Sequence, residues 1–76
     1  MTRFFFDLTT RGRSLYDYKG DEFLNCEGAR QHAEAIALDL KHRLNGEWAG
    51  WSVEVRNATN QKLLSLPVAV AELIAA

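Results

Sequence analysis

The sequence lacks most features that mark secreted or membrane-bound proteins. Its single cysteine, Cys26, allows no disulfide within the chain, and a lone thiol fits a reducing compartment. Asp7 interrupts the apolar start after Phe6, so we expect no signal-peptide core. The longest apolar stretch, Pro67–Ala76, contains Glu72 and is too short to span a bilayer. We therefore expect a cytoplasmic protein with no membrane association.

An excess of charge of either sign is also missing. Nine basic and ten acidic side chains leave a net charge of −1. Nucleic-acid-binding proteins gain much of their affinity by neutralising phosphates and usually carry a clear basic excess. Any nucleic-acid site on this chain must therefore be local. The 76 residues predict a single domain over 1–76, and a domain of this size has a thin margin of stability that self-association can increase.

The usual sequence signatures of catalysis and of metal or cofactor binding are missing as well. The five glycines are scattered and form no phosphate-binding loop. His32 and His42 are ten residues apart, about 280° around a helix, so they do not form a metal-binding pair. His32 and Asp39 can share a helix face, but no nucleophile accompanies them. We expect Cys26 to be buried, although its place in a first helical turn is also typical of reactive thiols. The prediction is a non-enzymatic protein without cofactor or metal.

The strongest structural signal is an amphipathic helix from Cys26 to Leu44. Asn25 is a typical N-cap, and Asn45-Gly46 is a typical helix stop. The apolar positions lie within about 100° of arc at 3.6 residues per turn. Most of them are alanine, which lets a helix lie close to a sheet. They are Cys26, Ala29, Ala33, Ile36, Ala37, Leu40 and Leu44.

Alternation with a period of two predicts strands on both sides of this helix. Arg3–Thr9 and Ser14–Tyr18 read as one hairpin, followed by a turn at Lys19-Gly20-Asp21. Trp51–Arg56 and Lys62–Leu66 read as a second hairpin, which ends at Pro67 because proline cannot donate to a ladder.

The predicted fold class is therefore α+β, a two-layer β-β-α-β-β arrangement. A four-stranded, mainly antiparallel sheet carries the helix on one face, and its other face is open. Val68–Ala76 is predicted to be either a short C-terminal helix or an extended tail.

The open sheet face is the candidate interaction surface. Phe5, Tyr16 and Tyr18 can stack on bases there, with Arg56 among the nearby cations that can contact phosphates. Alternatively, Phe5 and a tyrosine cover each other across the hairpin or lie in a dimer interface. Leu38 is expected on the helix face opposite the apolar stripe, where with the apolar tail it favours self-association.

Five short segments match a known family. They are Arg3-Phe4-Phe5-Phe6-Asp7, Asp17-Tyr18-Lys19-Gly20, Asn25-Cys26-Glu27-Gly28-Ala29-Arg30, Gly50-Trp51-Ser52-Val53-Glu54-Val55 and Leu64-Ser65-Leu66-Pro67. Through them the chain resembles a family of short proteins, common in soil-dwelling alphaproteobacteria, that is catalogued only as a domain of unknown function. This resemblance implies no activity, cofactor or catalytic residue. A looser resemblance, through Gly20-Asp21-Glu22-Phe23 and Glu27-Gly28-Ala29, is to the antitoxin half of small bacterial toxin–antitoxin pairs.

From the sequence, the leading functional hypothesis is a non-enzymatic protein-interaction or regulatory module that forms a homodimer or binds a protein partner. The alternatives are RNA or single-strand binding through the aromatic sheet face and antitoxin-like binding of a partner protein. The residues expected to carry the interaction are Phe5, Tyr16, Tyr18, Leu38 and Arg56.

Overall fold

The computed structural model describes residues 1–43 and 47–68, which form one antiparallel sheet and one helix. This confirms the predicted α+β fold, but the described residues contain five strands where four were expected. The elements in chain order are β1 (Thr2–Thr10), β2 (Arg13–Leu15), β3 (Asp21–Phe23), α1 (Cys26–Lys41), β4 (Ser52–Asn57) and β5 (Lys62–Pro67).

Strand β1 lies inside the sheet and pairs on both of its sides. On one side it pairs with β4, with Phe6 opposite Val55, and β4 in turn pairs with β5. On its other side β1 pairs with β2 near one end and with β3 near the other, so both form the same edge. Because directly opposite residues share a face, Phe6 and Val55 face the helix, whereas Asp7 and Glu54 face the open side.

The expected strand over Ser14–Tyr18 is wrong beyond Leu15, where β2 ends. The expected turn over Lys19-Gly20-Asp21 is likewise wrong at Asp21, where β3 begins. Alternation cannot locate this break, because side-chain hydrogen bonds replace the ladder between the two strands, as described below.

Helix α1 begins as predicted. Asn25 is the N-cap, and its side chain accepts a hydrogen bond from the backbone N–H of Gly28 at 3.1 Å. The helix ends at Lys41, before the predicted end. His42 caps it, and the N–H of Arg43 donates to the carbonyl of Leu40 at 3.2 Å, a tighter last turn. The predicted last residue, Leu44, and the predicted stop at Asn45-Gly46 lie outside the described residues.

The alanine stripe packs on the sheet as expected. Ala33 and Ala37 are fully buried, and Ala29 and Leu40 are nearly so. Because three of the four buried helix residues are alanine, most of the large buried side chains of the core come from the strands. The buried apolar residues outside the helix are Phe4, Phe6, Val53, Val55, Leu66 and Val68.

Two expectations about helix side chains are wrong. Cys26 is exposed because it borders an open pocket beside Phe4 and Val55. Leu38 is half-buried and packs against the core. Leu38 lies about 100° around the helix from the buried Ala37, and its long side chain reaches the core from that position.

The second hairpin follows the alternation closely. Val53 and Val55 are buried, and Ser52, Glu54 and Arg56 lie on the open face. The Asn57 side chain closes the turn by accepting hydrogen bonds from the N–H groups of Thr59 and Gln61. Strand β5 ends at Pro67 as predicted. Residues 69–76, for which a short helix or an extended tail was expected, lie outside the described residues.

The close approach of α1 to the sheet predicts that leucine substitutions at two nearby alanines change the stability by different amounts. Ala33→Leu places a large side chain in filled space and should lower the free energy of unfolding by about 1–3 kcal/mol. Ala35→Leu, on the exposed side of the same helix, should change it by no more than about 0.5 kcal/mol. Urea titrations followed by circular dichroism measure both, and equal effects would contradict this packing.

Candidate functional site

A loop of five residues, 16–20, separates β2 from β3 on one edge of the sheet. Leu15 pairs with Leu8, and Asp21 pairs with Phe4. Residues 16–20 therefore lie opposite only residues 5–7, an excess of two residues that cannot enter the ladder. This loop carries both tyrosines of the chain, and we call residues 16–20 the tyrosine loop.

The Asp17 side chain takes the place of the missing ladder. Its Oδ2 accepts a hydrogen bond from the backbone N–H of Phe6 at 3.1 Å. Its Oδ1 accepts from the N–H groups of Lys19 at 3.1 Å and Gly20 at 3.0 Å, which closes a tight turn within the loop. One carboxylate thus satisfies a β1 amide and two loop amides.

These contacts set the ionisation of Asp17. Partial burial is the largest single effect and raises its pKa. The backbone N–H donors of Gly20, Phe6 and Lys19, together with the positive charge of Arg56, outweigh the burial and lower the pKa below its ordinary value. The charged carboxylate is therefore the form that holds the loop.

Asp7 and Arg56 fasten this loop to the sheet. Asp7 is only 3% exposed although it is on the open face, and its Oδ1 accepts from the N–H of Asp17 at 2.9 Å. Arg56 donates to Asp7 through Nε at 2.7 Å and through Nη2 at 3.3 Å. The same Nη2 lies 3.0 Å from the Asp17 carbonyl oxygen. Asp7 also raises the pKa of the Arg56 guanidinium above its ordinary value.

Phe5 lies beneath Arg56, with the guanidinium carbon 4.7 Å from the ring centroid. Gly20 packs against the same ring from the loop. A Cβ on Gly20 would lie 2.9 Å from the ring and 2.7 Å from the Phe4 carbonyl oxygen, and the residue has a φ of +71°. The structure therefore places Phe5 in a half-buried position that anchors the loop.

Tyr16 and Tyr18 project from the anchored loop. Tyr16 is 57% exposed and Tyr18 is 86% exposed, and their ring centroids are 6.4 Å apart. They line a polar depression of about 350 Å³ on the open face. We call this surface the tyrosine face; it is lined by Asp7, Thr9, Ser14, Tyr16, Tyr18, Glu54, Arg56, Asn60 and Lys62.

Three cations on the open side, Arg3, Arg56 and Lys62, are paired with carboxylates. Besides the Arg56–Asp7 pair, Lys62 Nζ lies 3.6 Å from a Glu54 carboxylate oxygen. Arg3 contacts Glu22 at 3.1 Å and donates to the Lys19 carbonyl at 2.8 Å, which adds a second clamp on the loop. These pairs balance the charge of the tyrosine face locally.

The structure brings together four of the five residues expected to carry the interaction. Phe5 and Arg56 support the tyrosine loop, and Tyr16 and Tyr18 are its exposed groups. Leu38 is elsewhere, against the core on the helix side.

His32 and Asp39, which can share a helix face, each contact other residues, and Asp39 pairs with Arg43. His32 Nε2 is 3.7 Å from Asp21, and its ring packs on Phe6 and Phe23. Among the described residues no group of three or more His, Cys, Asp or Glu side chains is placed to hold a metal ion. The described part of the chain has no helix long and apolar enough to cross a bilayer.

Sequence reasoning missed the roles of Asp7, Asp17 and Gly20, which it assigned only to predicted strands and a turn. The available signal was the spacing of Asp17 and Gly20, since an aspartate three residues before a glycine is typical of a turn that the aspartate side chain closes by hydrogen bonds.

Comparison with known proteins identifies a family. A family model described as Domain of unknown function (DUF6894) matches residues 3–69. No curated protein and no solved structure matches the chain. The match includes β1 to β5 with the tyrosine loop, so the loop and its anchors all belong to the matched domain.

The packing of the loop against β1 predicts that two glycines with similar backbone angles respond differently to alanine. The methyl group added in Gly12→Ala meets no atom within 4 Å. This variant should therefore lose only the free energy needed to hold alanine in the left-handed conformation, about 1–2 kcal/mol. Gly20→Ala pays the same cost and also collides with Phe4 and Phe5. Its loss in free energy of unfolding should exceed that of Gly12→Ala by at least about 1 kcal/mol. Equal losses in urea titrations would show that the loop does not pack on β1.

The lowered pKa of Asp17 predicts that part of the stability disappears in acid. The charged form stabilises the fold fully above about pH 3.9, the ordinary aspartate pKa, and this contribution is lost as the pH falls through the lower folded value. Urea titrations at a series of pH values should show a smaller acid loss for Asp17→Asn than for the wild type. The matched control Asp39→Asn, in an exposed pair with Arg43, should keep the wild-type slope. If Asp17→Asn lost stability in acid as steeply as the wild type, the attribution of this loss to the Asp17 carboxylate would be wrong.

Proposed function

The chain belongs to the DUF6894 family, a domain of unknown function, and from its surface we propose that it is a small, non-enzymatic interaction module. It binds a protein partner through the tyrosine face. The observation that carries this proposal is the presentation of Tyr16 and Tyr18, two exposed aromatic side chains, on a loop whose backbone is anchored to the sheet.

The anchoring supports binding because it lowers the cost of ordering. Association costs conformational entropy wherever loops and side chains must be fixed. Here the loop backbone is already held by Asp17, by Arg56 and by the Arg3 hydrogen bond to Lys19. Tyrosine offers a large apolar ring with a polar tip, and it is among the residues that most often dominate protein interfaces.

The charge balance favours a protein over a nucleic acid as the partner. A phosphate backbone is attracted by unpaired cations. Arg56 and Lys62 each face a carboxylate on the tyrosine face, so a polyanion must displace Asp7 or Glu54 or approach two paired charges. Binding of RNA or single strands through this face stays the alternative prediction.

The form of the sheet edges also favours binding through the tyrosine face over the addition of a partner's strand at an edge. An exposed edge strand can recruit another strand, and proteins limit this with short strands, bulges, lysine and proline. One edge is divided into β2 and β3, each three residues long, by the tyrosine loop. The other edge, β5, begins at Lys62, has an irregular register opposite Arg56 and ends at Pro67.

A cytoplasmic location is part of the proposal. Cys26 is the single cysteine of the sequence and is exposed, which suits a reducing compartment where thiols stay reduced.

The test compares the wild type with a Tyr16→Ser/Tyr18→Ser double variant as bait in an extract of the source cells. A protein retained by the wild type alone is then purified and titrated calorimetrically against both. We expect saturable binding to the wild type. In the double variant the affinity should fall at least about 30-fold, which corresponds to the loss of one hot-spot residue. Leu15→Ser, at an exposed leucine on the helix side of β2, should bind like the wild type.

Two outcomes would contradict the proposal. One is a partner that binds the double variant as tightly as the wild type. The other is salt-dependent binding of a labelled oligouridylate or oligothymidylate that is lost in Arg56→Ala, with no protein partner, which would establish the nucleic-acid alternative.

A further inference from the structure

The residues that line the tyrosine face limit the kind of protein segment it can bind. The depression measures about 350 Å³, and the rings of Tyr16 and Tyr18 are the large apolar groups among the described residues that line it. Every other side chain lining it is polar or charged. A bound segment must therefore combine contacts to two aromatic rings with hydrogen bonds.

An amphipathic helix does not meet this requirement. Helices of this kind bind by inserting a row of apolar side chains into a hydrophobic groove. Asp7 on β1 and Glu54 on β4 bring carboxylates to the open face, with Arg56 beside them. An apolar row laid across these groups would remove water from them without offering hydrogen bonds in return, which costs free energy.

A phosphorylated side chain or a free carboxyl terminus does not fit either. Both are recognised by unpaired cations or by free backbone N–H groups. On this face Arg56 and Lys62 are each paired with a carboxylate. The N–H group at position 17 donates to Asp7, and those at positions 19 and 20 donate to Asp17. Since the form of the sheet edges disfavours an added strand, three common modes of peptide recognition are unfavourable here.

The tyrosine face presents exposed hydrogen-bond donors and shielded carboxylates. The donors include the ammonium group of Lys62, whose side chain is 75% exposed, and the hydroxyl groups of Tyr16 and Tyr18. The carboxylates are less accessible, since Asp7 is almost fully buried and the Glu54 side chain is 20% exposed. The segment that complements this face therefore offers hydrogen-bond acceptors and few donors.

A proline-rich segment has this chemistry. Proline has a carbonyl acceptor but no N–H donor, and in the polyproline II conformation the carbonyl groups make no internal hydrogen bonds. Segments of this kind dock on surfaces lined by aromatic side chains. Their conformation also exists before binding, so little conformational entropy is lost on association.

The charge and the width of the face fit the same segment. The Arg56–Asp7 and Lys62–Glu54 pairs cancel, so the electrostatic complement of the face is an uncharged segment. From β5 across β4 and β1 to the tyrosine loop there are three spacings of about 4.8 Å, or roughly 14 Å. A polyproline II segment advances about 3.1 Å per residue, so about five residues cross the face.

On the basis of the proposed function, we propose that the tyrosine face binds a proline-rich segment of its partner in the polyproline II conformation. Tyr16 and Tyr18 pack on the proline rings, and their hydroxyl groups and Lys62 donate to the carbonyl groups of the segment. Arg56 keeps its pair with Asp7 and supports the loop from beneath. A contact of about five residues gives a small interface of the weak, transient class.

Titration of the isotope-labelled full chain with decaproline, followed by NMR, tests this proposal. The wild type should bind saturably, with the largest amide shifts in residues 16–20 and around Lys62. Tyr16→Ser/Tyr18→Ser should lower the affinity at least about 30-fold. The same peptide made of D-proline forms the mirror-image helix and should bind much more weakly. Leu15→Ser, on the helix side of β2, should bind decaproline like the wild type.

Two further measurements separate ring packing from hydrogen bonding and from charge. Tyr18→Phe keeps the ring and removes the hydroxyl group, so the affinity should fall about fivefold, the effect of one lost hydrogen bond. Tyr18→Ser should lose more. Binding should be nearly independent of salt, because decaproline carries no side-chain charge. Circular dichroism of each variant establishes that it is folded.

Failure of this proposal and failure of the proposed function give different results. If a partner from the extract needs Tyr16 and Tyr18 but decaproline neither binds nor displaces it, the proposed function stands and the proline-rich segment is wrong. A partner segment that binds there as a helix would give this result. If neither a protein nor decaproline binds through the tyrosines, both proposals are wrong. Decaproline binding that survives Tyr16→Ser/Tyr18→Ser would also overturn the proposal.

Discussion

The structure of the open sheet face depends on one buried carboxylate, that of Asp7. It is a charged group in the middle of the central strand, almost inaccessible to water, and it is tolerated because an arginine and a backbone amide both donate to it. Arg56 reaches it from the neighbouring strand and also holds the loop carbonyl and covers Phe5. Removing Arg56 would leave the Asp7 carboxylate as an uncompensated buried charge, so the two aspartates, the arginine and the loop act as one unit.

The helix side of the molecule follows a simpler principle. Its contacts are apolar, and fully buried alanines let the helix axis approach the strands, so the molecule is a thin slab of 36 × 30 × 16 Å. Two-layer packing of this kind leaves the second sheet face without a covering layer among residues 1–43 and 47–68. This face carries paired charges and presents two tyrosines, and the divided edge beside it disfavours the addition of another strand.

The part of the fold that depends on periodicity could be predicted from the sequence. Asn25 as the N-cap, the alanine stripe and the alternation of Val53 and Val55 all appear as expected, because each reflects local geometry. The break between β2 and β3 could not be predicted in this way. Residues 14–23 form an edge whose amides are satisfied partly by side chains, and Asp17 makes a contact with Phe6 that is distant in sequence. For the candidate site, the exposed tyrosines could be predicted, but the contacts that fix Phe5 and Arg56 depend on three strands meeting. Leu38 was misplaced because periodicity alone does not show that a long side chain beside Ala37 reaches the core.

The way the tyrosine loop is attached separates what holds it from what it displays. The loop is fastened through the Asp17 carboxylate, through backbone groups at positions 17, 19 and 20, and through the absence of a side chain at Gly20. The side chains at positions 16 and 18 take part in none of these hydrogen bonds. A lineage of such domains can therefore exchange these two residues without disturbing the core, and under the proposed function each exchange changes the partner. The displayed surface can diverge between descendants while the architecture that supports it stays unchanged.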